Sequence, residues 1–114
     1  MSEPLHTTLQ DMLASLPGPG GERYATAFTR GTLRALMYAP RGTDPQEPHQ
    51  QDEVYVVMKG VGSFVVGDSH VRFREGDVLF AAASVAHRFE DFTDDLVLWV
   101  FFYGPPGGEN QAAG

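Results

Sequence analysis

At 114 residues, 42% of them hydrophobic, the chain is long enough for one domain with one modest core. Fifteen acidic residues against eight basic ones leave a formal charge of −7, which disfavours nucleic acid and anionic membranes, both polyanions that reward clusters of Lys and Arg. With no cysteine there is no disulfide framework and no thiolate metal site, so any metal must be held by nitrogen and oxygen.

Taken in chain order, Thr7 to Leu16 places Leu9, Met12, Leu13 and Leu16 at three- and four-residue spacing, the stripe of a short amphipathic helix that Thr7 or Thr8 can cap. Pro17 to Gly21 stops it, because proline lacks the amide donor and glycine favours irregular backbone. Met1 to Gly18 shows no basic segment followed by an apolar run, and no segment approaches the roughly 18 apolar residues of a bilayer span. A soluble, cytoplasmic protein is the expectation.

Tyr24 to Arg30 and Thr32 to Ala39 alternate as strands, and thirteen glycines and eight prolines among Val, Phe and Tyr suit short strands with frequent turns. Pro40 to Pro48 reads as a turn-rich loop. Gly62 to Val66 and His70 to Arg74 make a hairpin about Gly67-Asp68, and Val78 to Ala82 follows the turn Glu75-Gly76-Asp77. His87 to Phe92 and Leu96 to Tyr103 complete the strands. The last is apolar on both faces, so its outer side needs a cover, supplied by the N-terminal helix or by a second subunit. The expected organisation is helix and linker over residues 1–22, a β-barrel over 23–104 and a flexible tail over 105–114.

Potential ligands alternate along Glu47, His49, Gln51 and Glu53, which would share one face of an extended strand. His87 supplies another imidazole from the segment Gly76 to Phe89. His6 and His70 read as surface residues. The acidic run Glu90, Asp91, Asp94 and Asp95 reads as a solvated turn, because alternation splits Glu90 from Asp91.

Gly42 to Gly60 resembles the first motif of the cupin superfamily, G-x5-H-x-H-x(3,4)-E-x6-G, and Gly76 to Asp91 resembles the second, G-x5-P-x-G-x2-H-x3-N. Glu53, separated from Gly60 by six residues, sets the register. His49 then matches the second histidine, and Glu47 stands in place of the first. The alternative register makes His49 the first histidine and Gln51 the second. In the second motif His87 matches, while Ala82, Ser84 and Asp91 replace the proline, the glycine and the asparagine.

The resemblance implies an all-β, double-stranded β-helix, or jelly-roll, with an added short helix, and a homodimer. It also implies a divalent metal, iron, manganese, zinc or nickel, on His49, Glu53 and His87. Glu47 or Gln51 is a candidate fourth ligand, Gln51 more naturally in support, and Glu47 is the one candidate general base. Tyr55, Val57 and Phe89 share inward parity with the ligands, with Phe64, Trp99 and Phe101 as further candidates for a pocket. Such a pocket suits a small organic molecule with one polar or carboxylate end. Two functions stay open: a metal-dependent dioxygenase or isomerase, and a non-catalytic small-molecule binding or sensing protein in which the metal is structural or absent.

Overall fold

The computed structural model describes residues 5–109. Its elements run α1 (Leu9–Ala14), β1 (Tyr24–Arg30), β2 (Leu33–Tyr38), β3 (Asp52–Lys59), β4 (Gly62–Val66), β5 (Ser69–Phe73), β6 (Val78–Ala81), β7 (His87–Glu90) and β8 (Val97–Tyr103). Thr8 caps α1, its hydroxyl accepting the Asp11 amide at 3.0 Å.

The strands form two antiparallel sheets, one of five strands in the order β1-β2-β8-β3-β6 and one of three in the order β5-β4-β7. All-β jelly-roll architecture is thereby established. Side chains alternate between the faces of each strand, and the two inner faces close on each other. Tyr55, Val57, Leu98, Val100 and Phe102 from the larger sheet meet Phe64, Phe73 and Phe89 from the smaller one in a continuous core. Gly60, at φ +94°, lets the chain leave β3 tightly; a Cβ there would stand 2.8 Å from the Leu96 Cα.

The outer face of the larger sheet is dressed unevenly. Met12 of α1 is buried against Met37, Ala39 and Val97, and Leu9, Leu13, Met58 and Trp99 pack around that cluster. The helix therefore covers part of β8. Toward the β6 edge, Val78 and Phe80 are 65% and 50% exposed.

Three expectations change. Residues 44–51 form no strand, since β3 begins at Asp52, so strand alternation is not what groups Glu47, His49 and Gln51. Trp99 and Phe101 occupy the outward parity of β8, Trp99 within the helix-covered cluster, because Leu98, Val100 and Phe102 are the residues that enter the barrel. The segment expected to be a flexible tail is held over its described part: Gly107 donates to the Gln50 carbonyl at 2.7 Å and Glu109 to Asp52 Oδ2 at 2.9 Å. Residues 110–114 of that tail lie outside the described residues.

Candidate metal centre

Three elements converge on one point inside the barrel. Glu53 is the second residue of β3, flanked in register by Ala81 of β6 and Phe102 of β8, so the larger sheet aims its carboxylate inward. His87 opens β7 in the smaller sheet, paired with Val66. His49 arrives from the loop before β3. Two hydrogen bonds join that loop to the one before β7: Ser84 N donates to the His49 carbonyl at 2.6 Å, and Ala83 N to Asp52 Oδ1 at 2.9 Å.

The backbone at two of the three substituted motif positions is specific. Ser84 has φ +67° and Asp91 φ +50°, left-handed conformations that glycine, asparagine and aspartate adopt most easily and that cost other residues of order 1 kcal/mol. Serine therefore holds its turn under strain, whereas aspartate suits its own. Ser84 gains in return the short amide bond to the His49 carbonyl, which fixes the backbone of that residue.

One candidate donor atom from each of His49, Glu53 and His87 can be chosen so that all lie within 4.8 Å of one another. His49 Nδ1 stands 3.1 Å and His87 Nε2 2.5 Å from Glu53 Oε1. The second contact is close but misaligned: Nε2 makes no hydrogen bond, and Glu53 Oε2 is also buried without a partner. The Glu53 and His87 side chains are each 1% exposed. Buried polar atoms are normally satisfied, so a converging pair that is not calls for a further charged group between them. A divalent cation meets that need.

The tautomer agrees. His87 Nδ1 lies 2.9 Å from the Val85 carbonyl, which can only accept, so Nδ1 carries the proton and a neutral ring turns the Nε2 lone pair toward Glu53. Two imidazoles and a carboxylate, with no thiolate, form a donor set that iron, manganese, zinc and nickel all accept.

Without a metal the cluster is held by protons. Burial pushes the Glu53 carboxyl up, but the hydrogen bond with His49, the close contact with His87 and the charges of both outweigh it and hold Glu53 below its ordinary range. Burial pushes His87 down, yet the close Glu53 carboxylate, the Val85 carbonyl and the charge of Asp44 raise it overall. A proton on His87 and a metal therefore compete for the same carboxylate.

Around the cluster, Tyr55 and Phe64 each stand 6.2 Å from the His87 ring, and Phe89 packs on both at 5.0 and 5.1 Å. This apolar surround strengthens every charge interaction within it. A cavity of about 650 Å³ opens on the cluster at His49 and Tyr55, with Leu36, Tyr38, Val100 and Phe102 as walls. Its size suits a small organic molecule. Tyr55 lines it, whereas Val57, Phe64 and Phe89 are packed core behind it, and Trp99 and Phe101 lie on the other side of the sheet.

Two ligand candidates leave the site. Glu47 is exposed and outside the cluster, so neither ligation nor general-base chemistry is supported for it. Gln51 donates to the carbonyls of Thr32 and Gly104, both at 2.9 Å, and accepts from Arg34 at 3.2 Å. It is a rim brace. What sequence reasoning missed is a polar chain at the mouth, in which Asp44 accepts from Tyr38, from Gln46 at 2.7 Å and from the Phe89 amide at 2.7 Å, and Gln46 accepts from Tyr55 at 3.1 Å. Little in the turn-rich loop marks this polar chain, because Asp44 is joined to Phe89, 45 residues away, and Gln46 to Tyr55 of β3.

Comparison with known proteins agrees with this geometry. Residues 35–103 match the sequence model of the cupin domain. An uncharacterized protein of Streptomyces coelicolor is 41% identical over 63 residues, a match that spans 55% of this chain and 60% of that relative. Among solved structures, a Thermus thermophilus protein superimposes with a TM-score of 0.68 at 20% identity, covering 85% of this chain and 94% of its own. A cupin 2 conserved barrel domain protein from Salinispora arenicola gives 0.67 at 15% identity, covering 91% of each. Those structural likenesses speak to the fold, and the domain match spans well over half the sequence: the chain belongs to the cupin family.

Proposed function

We propose that this protein binds a divalent metal at His49, Glu53 and His87 and admits a small organic molecule to the adjoining cavity. One observation carries the reading: His87 Nε2 and Glu53 Oε2 are buried and lack hydrogen-bond partners, while Nε2 lies 2.5 Å from the Oε1 of the same carboxylate. A bound metal would act as a Lewis acid toward a substrate oxygen or activate dioxygen, the chemistry of a dioxygenase or isomerase. The chain's own residues do the rest. Val85 orients His87, Ser84 holds the backbone of His49, and Leu36, Val100 and Phe102 keep the ligand's apolar part from water.

A second reading, binding or sensing without catalysis, draws on a different observation. Glu47 is exposed, and the cavity tyrosines Tyr38 and Tyr55 are poor bases: burial, then the bond to Asp44, raises Tyr38, and burial, then the Glu53 charge, raises Tyr55. The two readings share the metal. Elemental analysis of protein purified without added metal should find close to one ion per chain. Added metal at a hundred times its Kd should raise Tm by about 10 °C. Absence of both effects defeats the metal site.

The exposed Val78 and Phe80 at the β6 edge support a homodimer through the outer face of the larger sheet. Light scattering tests it. Phe80→Asp should convert a dimer to a monomer with metal content unchanged, and a wild-type monomer at all concentrations refutes the dimer.

A further inference from the structure

The chain carries eight basic residues against fifteen acidic ones, yet three of the eight, Arg23, Arg34 and Arg41, line the cavity beside His49. None of the three has a carboxylate partner among the described residues. Arg23 Nε donates to the Ala39 carbonyl at 2.9 Å, Arg41 Nη1 to the Pro40 carbonyl at 3.3 Å, and Arg34 Nη2 to Gln51 Oε1 at 3.2 Å. These acceptors are neutral. Glu22 is the one acid in the lining, and it folds back on its own turn, accepting from Gly20 N at 3.2 Å.

Like charges gathered without directly paired carboxylates repel. Arg23, desolvated by partial burial, also feels the charge of Arg41, and both effects work against its protonated form. In a protein of net charge −7, with fifteen carboxylates to draw on, leaving such a group unpaired concentrates positive potential at one opening.

Arg34 is also held in place. Its guanidinium lies 4.4 Å over the Phe102 ring, and that ring meets His49 edge-on at 4.9 Å. Gln51 fixes the other side of Arg34 and is itself tied to Thr32 and Gly104. A stacked, buttressed guanidinium loses little freedom on binding and presents its remaining N–H groups as a ready fork.

We propose that the cavity binds a small organic carboxylate, its anionic end held by Arg34 with Arg23 and Arg41, and its apolar body lying on Leu36, Val100 and Phe102. The inference deepens the small-molecule reading above by assigning the ligand's charge to the arginines. Each charge-assisted bond at this mouth discriminates against a neutral analogue.

The test titrates phenylacetate and its neutral counterpart phenylacetamide into EDTA-treated protein and into zinc-loaded protein, followed by calorimetry and by amide chemical shifts. In the stripped protein phenylacetate should bind at least about tenfold more tightly than the amide, and rising salt should narrow the difference. Arg34→Gln and Arg41→Gln should each erase most of that preference, while Arg72→Gln, outside the cavity, should leave it intact. Equal affinities overturn the proposal. So does the absence of phenylacetate binding up to about 10 mM, or a preference that survives both cavity substitutions. A protein that takes no metal yet keeps an arginine-dependent preference defeats the metal reading alone. One that takes metal without the preference defeats this inference alone.

Discussion

The two faces of the five-stranded sheet are built by the same strands and do opposite things. Inward residues of β3 and β8 run Glu53, Tyr55, Val57 and Leu98, Val100, Phe102, and they make the barrel core and the edge of the site. Their immediate neighbours, Val54, Val56, Trp99 and Phe101, face away, Trp99 beneath α1 and the others toward the β6 edge. A one-residue step along either strand thus separates chemistry from cover. The inner face tolerates a buried carboxylate because two imidazoles answer it; the outer face has only apolar contact to offer.

If that division is right, damage on each side should be of different kinds. The largest effect belongs to the inner face: Glu53→Ala and His87→Ala should weaken metal binding by more than about a hundredfold, read as metal per chain after gel filtration. Unchanged metal content in both would show that the ligands are misassigned. On the outer face, Trp99→Ala should cost about 2–3 kcal/mol in urea unfolding, less than for a fully buried tryptophan, with metal stoichiometry retained. Loss of metal in that variant would break the separation of the faces.

A gentler probe is acidity. His87 in the metal-free cluster is held above its ordinary value, so its folded form keeps the proton at higher pH than a free imidazole would. Protons should therefore begin to displace the metal above roughly pH 6.5, with affinity falling by about tenfold per unit for one competing proton. Constant affinity between about pH 8 and pH 5 would exclude histidine ligation. The smallest change is expected at the join between the loops: Ser84→Gly relieves a left-handed serine but adds chain entropy, for a net shift within about 0.5 kcal/mol, whereas Ser84→Val should lose more than 1 kcal/mol, about the strain of a branched residue there. Equal stability of the two variants would deny that this backbone is constrained.

How far the sequence could be read follows from the same alternation. β3 shows a polar anchor, Glu53, followed by Tyr55 and Val57, and its phase against Gly60 correctly aims those side chains inward. β8 has no such anchor. Every residue from Val97 to Tyr103 is apolar or aromatic, so either phase looks equally good, and no contrast in the sequence marks Trp99 and Phe101 as outward-facing. Strand boundaries and the α1 cap were visible because periodicity and turn residues are local signals. The loop of residues 40–51 was opaque for the converse reason. Asp44, Gln46 and Gln51 are defined by partners on β7, β3, the β1–β2 turn and the end of β8, contacts that no short window of sequence contains.

Asp52 gives the domain a different boundary from the one its last strand suggests. One carboxylate oxygen receives the Ala83 amide and the other the Glu109 amide, while Gly108 packs so near that a Cβ would sit 2.8 Å from Oδ1. A chain cut after Tyr103 would strip one oxygen of its donor next door to Glu53 and leave a buried anion half answered. In energetic terms the folding unit extends at least to Glu109, and the six residues that follow β8 work as a clasp closed on Asp52, next to Glu53.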